Sequence, residues 1–108
     1  MPVDRLLPSS EARELIALVR EISDGELAPR ADTAEAAGEF PRDLVRLLGR
    51  SGLLGLPYEE GGDQPYEVYL QVIEEVATRW LTMALSISVH TLSCWPLAVF
   101  GTPAQRAR

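Results

Sequence analysis

Apolar residues recur along this chain at three- and four-residue spacing, and the strict alternation of a half-buried strand is sustained nowhere. The first such stretch puts Ala12, Leu15, Ile16, Val19 and Ile22 on one stripe. Ser9 or Ser10 caps it, and Glu11 falls at the positive end of the helix dipole. Gly25 or Pro29 ends or kinks this helix, and the alanine-rich stretch from Arg30 to Glu39 reads as either helix or linker.

A second helix is expected from Pro41, a residue with no N–H to lose in a first turn. Leu44, Leu47 and Leu48 form its apolar face, and Gly52 suits a left-handed stop. Leu53 to Tyr58 is a short apolar connection, and Glu59-Glu60-Gly61-Gly62-Asp63 is a turn whose glycines take positive φ. Pro65 opens a third helix with Tyr69, Leu70, Ile73, Val76, Ala77 and Trp80 toward the core and Glu67, Gln71, Glu74 and Glu75 mainly toward solvent. Leu81 to Phe100 carries no charged residue and is apolar or small nearly all round, which predicts a central, buried fourth helix ended by Gly101. Thr102-Pro103-Ala104-Gln105 then has the form of a capping box with proline at the first helical position. It announces a fifth helix with only three residues left, so the sequence reads as though interrupted there. The expected fold is all-α, a bundle of four to five helices over residues 1–108 as one domain.

Composition narrows the chemistry. The 108 residues are 46% hydrophobic and 24% charged, an ordinary globular balance, and the net charge of -6 disfavours nucleic acid, which needs clustered basic surface. Every basic residue apart from His90 is an arginine, so a P-loop lysine, a Schiff-base lysine and a lysine general base are all excluded. One cysteine and one histidine exclude an intrachain disulfide and the usual zinc sites. Met1 to Leu7 lacks the basic-then-apolar order of a secretory leader, and a cytoplasmic location is the expectation.

Few candidate sites remain. His90 and Cys94 share a helix face and read either as an activated thiol or as a packed cysteine beside a hydrogen-bonded histidine. The three carboxylates of Glu59–Asp63 would repel a phosphate and lack the spacing of a calcium loop. Glu74 and Glu75 diverge by about 100° on a helix, too far to act as a paired acid and base. Leu81–Phe100 is long enough to span a bilayer, yet it contains Thr82, Ser86, Ser88, His90, Thr91, Ser93 and Pro96, and the amphipathic helices before it need a partner. A core helix with no membrane is the expectation.

Several segments, in order and at compatible spacing over about two-thirds of the chain, resemble the N-terminal domain of the acyl-CoA dehydrogenases. Glu39-Phe40-Pro41-Arg42-Asp43-Leu44 is similar to the start of that family's second helix, and Leu53-Leu54-Gly55-Leu56-Pro57 with Glu59-Glu60-Gly61-Gly62 to its Gly-Leu and acidic Gly-Gly connection. Ile73-Glu74-Glu75-Val76-Ala77 resembles its "LEELA" third helix. Ser86 to His90 and Phe100 to Arg106 resemble its fourth helix and the opening of its fifth. Two departures stand out: Glu60 replaces the usual aromatic residue before Gly-Gly, and the stretch from Gly62 to Glu75 is slightly short.

The resemblance implies α,β-dehydrogenation of an acyl-CoA, with a glutamate base, FAD as hydride acceptor and electron-transfer flavoprotein as the onward partner. It also implies a homo-oligomer in which a β-domain and a C-terminal helical domain supply the catalytic base and most flavin contacts. No catalytic, cofactor-binding or metal-binding residue is assigned to this chain, and no cofactor is expected on it alone. Ala84, Ser88 and Leu92, four apart, are the substrate-pocket candidates by that analogy, with plain core packing as the competing reading. A free-standing helical interaction module is the alternative function.

Overall fold

The computed structural model describes residues 4–58 and 65–108, and all regular structure among them is helical. α1 (Ser10–Ile22) runs through a π turn (Ser23–Leu27) into α2 (Ala28–Ala37); α3 is Arg42–Arg50, α4 Tyr66–Arg79, α5 Leu81–Phe100 and α6 Pro103–Arg106. The all-α expectation holds, with five helical rods if the first three elements are taken as one. The Glu59–Asp63 turn lies outside the described residues.

Ser9 caps α1 by accepting the Ala12 N–H. Neither Gly25 nor Pro29 ends this helix, and the stretch left open as helix or linker is helix. The buried positions explain the π turn. Val19, Ser23, Leu27 and Ala31 are spaced by four three times running, a pattern that drifts about 40° per step round an ideal α-helix. A wider turn cancels the drift and keeps Ser23 and Leu27, both fully buried, facing the core. Pro29 sits in the first turn of α2, where its missing N–H does little harm.

α2 and α3 stop in the same way. Gly38 (φ 66°) and Gly52 (φ 80°) take the left-handed conformation. The next amides reach back five residues, Glu39 N–H to the Ala34 carbonyl and Leu53 N–H to the Leu48 carbonyl. A side chain at Gly38 would meet open space but would strain the backbone. Gly38→Ala is therefore expected to lower stability by about 1 kcal/mol, read from the urea midpoint. Pro41 and Pro65 stand one position earlier than expected, just outside α3 and α4.

The core gathers one side of each rod: Ile16, Val19 and Leu27 from the first, Leu44 and Leu48 from α3, Val72 and Val76 from α4, and Met83 and Ile87 from α5. α4 presents Val68, Tyr69, Val72, Glu75 and Val76 inward, while Leu70 is 60% exposed. This face is rotated from the expected one, because apolar residues occupy two overlapping stripes and Glu75 was expected in solvent. Trp80, expected on the third helix, instead forms the extended corner between α4 and α5. It is buried, and its Nε1–H donates to Glu35 of α2 at 2.8 Å. Thr82 bonds the same carboxylate oxygen, and the two donors hold the Glu35 carboxyl below its usual range.

The central burial expected for Leu81–Phe100 does not occur. Met83, Ala84, Ile87 and Thr91 are buried, but Leu81, Leu85, Val89, Leu92, Trp95, Leu97, Val99 and Phe100 are all exposed. The reason is the shape of the molecule. Its backbone measures 41 × 34 × 17 Å, a depth of about two packed helix layers at an axis separation of about 8–10 Å. In so thin a slab no helix is enclosed on all sides.

Candidate functional site: the two sides of the long helix

α5 packs mainly on α4, with a smaller contact to α3. Its inward residues, Met83, Ala84, Ile87 and Thr91, all lie ahead of its last nine residues, none of which is buried. On the outer side Leu81, Leu85, Val89, Leu92, Trp95 and Val99 follow one another at three- and four-residue steps, forming an uninterrupted apolar stripe. By length and composition α5 passes as a membrane span, with a mean hydropathy of 1.5 and only 22% of that window buried.

Its serines do little to make the surface polar. The hydroxyls of Ser86, Ser88 and Ser93 each donate to the carbonyl four residues back, those of Thr82, Ala84 and Val89. The three pocket candidates run from core to surface: Ala84 is buried, Ser88 half-buried and Leu92 71% exposed.

His90 and Cys94 meet as their spacing predicts, with Sγ 3.5 Å from Nε2. His90 is exposed and Cys94 half-buried, so neither is a core residue. Cys94 instead lines a cavity of about 400 Å³ that opens where the inner side of α5 runs past its last buried contact at Thr91. Gly55, Tyr58, Leu97 and Ala98 supply the rest of the apolar wall, and α6 closes one end with Gln105, Arg106 and Arg108 nearby. The predicted capping box forms in full: Gln105 N–H donates to Thr102 Oγ1, and Thr102 N–H donates to Gln105 Oε1. The Tyr58 hydroxyl donates to the Thr91 carbonyl at 2.5 Å, and burial raises its pKa above the ordinary phenol value. No motif pointed to this cavity, since it depends on a connection and two helices meeting in space.

A second polar feature also escaped the sequence reading. Glu75, expected in solvent, is buried, with its side chain 3% exposed against 58% for Glu74. Its Oε1 accepts from Arg5 Nε at 2.8 Å and Arg20 Nε at 2.9 Å, and its Oε2 accepts from Arg79 Nη1 at 2.7 Å. Arg79 also reaches Asp24 at 2.8 Å. Burial alone would raise the Glu75 pKa, but hydrogen bonds from Arg20, Arg5 and Arg79 outweigh it and bring it down to about 2. A carboxylate so firmly ionised is useless as a general acid or base near neutral pH. Its role is to join the N-terminal segment, α1 and α4.

Among the described residues no glycine-rich turn opens a helix in the manner of a dinucleotide cradle. Nor does any group of three histidine, cysteine or carboxylate side chains there suit a metal ion.

Comparison with known proteins gives this helical frame its relatives. Residues 9–108 match the acyl-CoA dehydrogenase, N-terminal domain family. An acyl-CoA dehydrogenase of Bacillus subtilis is 30% identical over 84% of this chain and 25% of its own length. A second protein of that organism, described as a probable acyl-CoA dehydrogenase, is 33% identical over 82% of this chain and 24% of its own length. A 3-(aryl)acrylate reductase of Clostridium sporogenes is 28% identical over 92% of this chain and 28% of its own length. The chain thus spans about a quarter of the length of these relatives. It belongs to the acyl-CoA dehydrogenase family, whose N-terminal domain it matches along nearly its whole length.

Proposed function

We propose that this chain is the N-terminal helical part of an FAD-dependent acyl-CoA dehydrogenase, supplying a wall of the acyl pocket and a packing face for the rest of the subunit. The uncharged stripe on the outer side of α5 carries this reading. Six large apolar side chains in sequence along one helix form a surface that water does not favour and that a hydrocarbon chain or another domain would cover. Of the pocket candidates, Leu92 belongs to that stripe and Ser88 borders it, while Ala84 backs them from the core. The Ser88 hydroxyl is already engaged by the Ala84 carbonyl, which suits an apolar substrate.

FAD, the catalytic base and the contact with electron-transfer flavoprotein are assigned to the other parts of the enzyme, a cytoplasmic homo-oligomer acting in fatty acid metabolism. α5 is assigned to protein packing and not to a bilayer, because its inner half is committed to α4 and α3.

A chimera tests this directly. Residues 9–108 replace the matching segment of the Bacillus subtilis acyl-CoA dehydrogenase, and acyl-CoA-dependent dye reduction is followed. The chimera is expected to hold FAD and to turn over, whereas the 108-residue chain alone stays colourless and inactive. In the chimera, Leu92→Trp is expected to raise KM for long acyl chains on the order of tenfold while sparing short ones. A flavin-loaded 108-residue chain, or a folded, FAD-loaded chimera without acyl-CoA oxidation, would overturn the proposal.

A further inference from the structure

The cavity beside Cys94 lies roughly 130° round α5 from the line of Ala84, Ser88 and Leu92. It is therefore a separate site, and it stands or falls independently of the dehydrogenase reading. We infer that it binds a compact anionic amphiphile, with a carboxylate head at Arg106 and Arg108 and an aryl or short alkyl body against Tyr58, Leu97 and Ala98.

Volume sets the size of the ligand. About 400 Å³ equals the liquid volume of roughly a dozen waters, room for a molecule of about that many heavy atoms and within the usual range for small-molecule sites. The walls set its body. Tyr58 has already committed its hydroxyl to the Thr91 carbonyl, so its ring is the surface it offers, and Leu97 and Ala98 add hydrocarbon. α6 sets its charge. Neither Arg106 nor Arg108 has an ion-pair partner among the described residues, in contrast to Arg5, Arg20, Arg30 and Arg79. Two guanidiniums with no ion-pair partner among the described residues, at the end of an apolar slot, favour a carboxylate, which guanidinium binds in a bidentate fashion. The Gln105 amide N–H groups remain as further donors, since only its oxygen is used in the capping box.

Cys94 lines this cavity and is the chain's sole cysteine, so its alkylation reports occupancy without a label. The test measures the rate at which iodoacetamide alkylates Cys94, by intact mass, with 4-phenylbutyrate or the uncharged 4-phenylbutan-1-ol present. The carboxylate is expected to slow alkylation about tenfold once its concentration exceeds Kd about tenfold, and to do so at lower concentration than the alcohol. The doubly substituted Arg106→Ala, Arg108→Ala chain should lose that preference, with both compounds protecting equally weakly. No protection up to the solubility limit, equal protection by the two compounds in the native chain, or a carboxylate preference that survives the double substitution would each overturn the inference.

Discussion

Glu75→Gln is expected to cost about 3–5 kcal/mol of folding stability, the usual penalty for removing one member of a buried ionic cluster. That is a large share of the roughly 5–15 kcal/mol that holds a domain together. Glutamine keeps the shape but cannot neutralise Arg5, Arg20 and Arg79, which converge on Glu75 from the N-terminal segment, α1 and α4. Arg5 loses most, because its own side chain is 5% exposed and water cannot replace the carboxylate. The neighbouring change, Glu74→Gln, should cost under about 1 kcal/mol, since that side chain is mostly in water. Urea unfolding of both variants at pH 7 distinguishes them. A Glu75→Gln midpoint as close to the native one as that of Glu74→Gln would show that the cluster contributes little.

Acid supplies an independent measure of the same interaction. The Glu75 pKa falls from 4.5 to about 2 on folding, so the folded state favours the ionised form. Its contribution is complete above pH 4.5, declines as the pH falls from there, and is gone below about 2. A shift of that size corresponds to about 3 kcal/mol, of the same order as the loss expected for Glu75→Gln. The Glu35 and Asp43 carboxyls are also held below their ordinary range, by Thr82 with Trp80 and by Arg30 respectively. Both are intact in Glu75→Gln. The difference in unfolding free energy between native and variant chains should therefore shrink between pH 4.5 and 2, and this change belongs to Glu75.

Local rules made much of the fold legible. The Ser9 cap, the Gly52 stop and the Thr102–Gln105 box depend on neighbours within a few residues, and each appears where the sequence placed it. The His90–Cys94 contact is legible for the same reason, being one helical turn. The errors come from interactions across the chain. Arg5 and Glu75 lie 70 residues apart, so the burial of a charged side chain had no local signature. The cavity needs Gly55 and Tyr58 to meet α5 and α6, which no periodicity announces. Composition likewise misled the reading of Leu81–Phe100, because an apolar outer side looks the same in sequence whether it faces the core or awaits another surface. Family resemblance, and not pattern, is what selects Ala84, Ser88 and Leu92 from that helix.

That ambiguity yields the second large effect. Ile87→Ala is expected to cost about 2–5 kcal/mol, because a fully buried side chain leaves a cavity that its neighbours only partly fill. Leu85→Ala, two residues away, should change stability by no more than about 0.5 kcal/mol, since Leu85 is 56% exposed. A helix buried on all sides would make the two losses similar, so equal costs would restore the central position expected from composition. In the chimera that carries the remaining domains, the two residues should become alike for a different reason. If the outer stripe is the packing face proposed for it, Leu85 is covered there, and Leu85→Ala lowers the thermal stability of the assembled enzyme while leaving the isolated chain almost untouched. The contrast between the two settings measures how much of α5 is core in its own right and how much becomes core only on assembly.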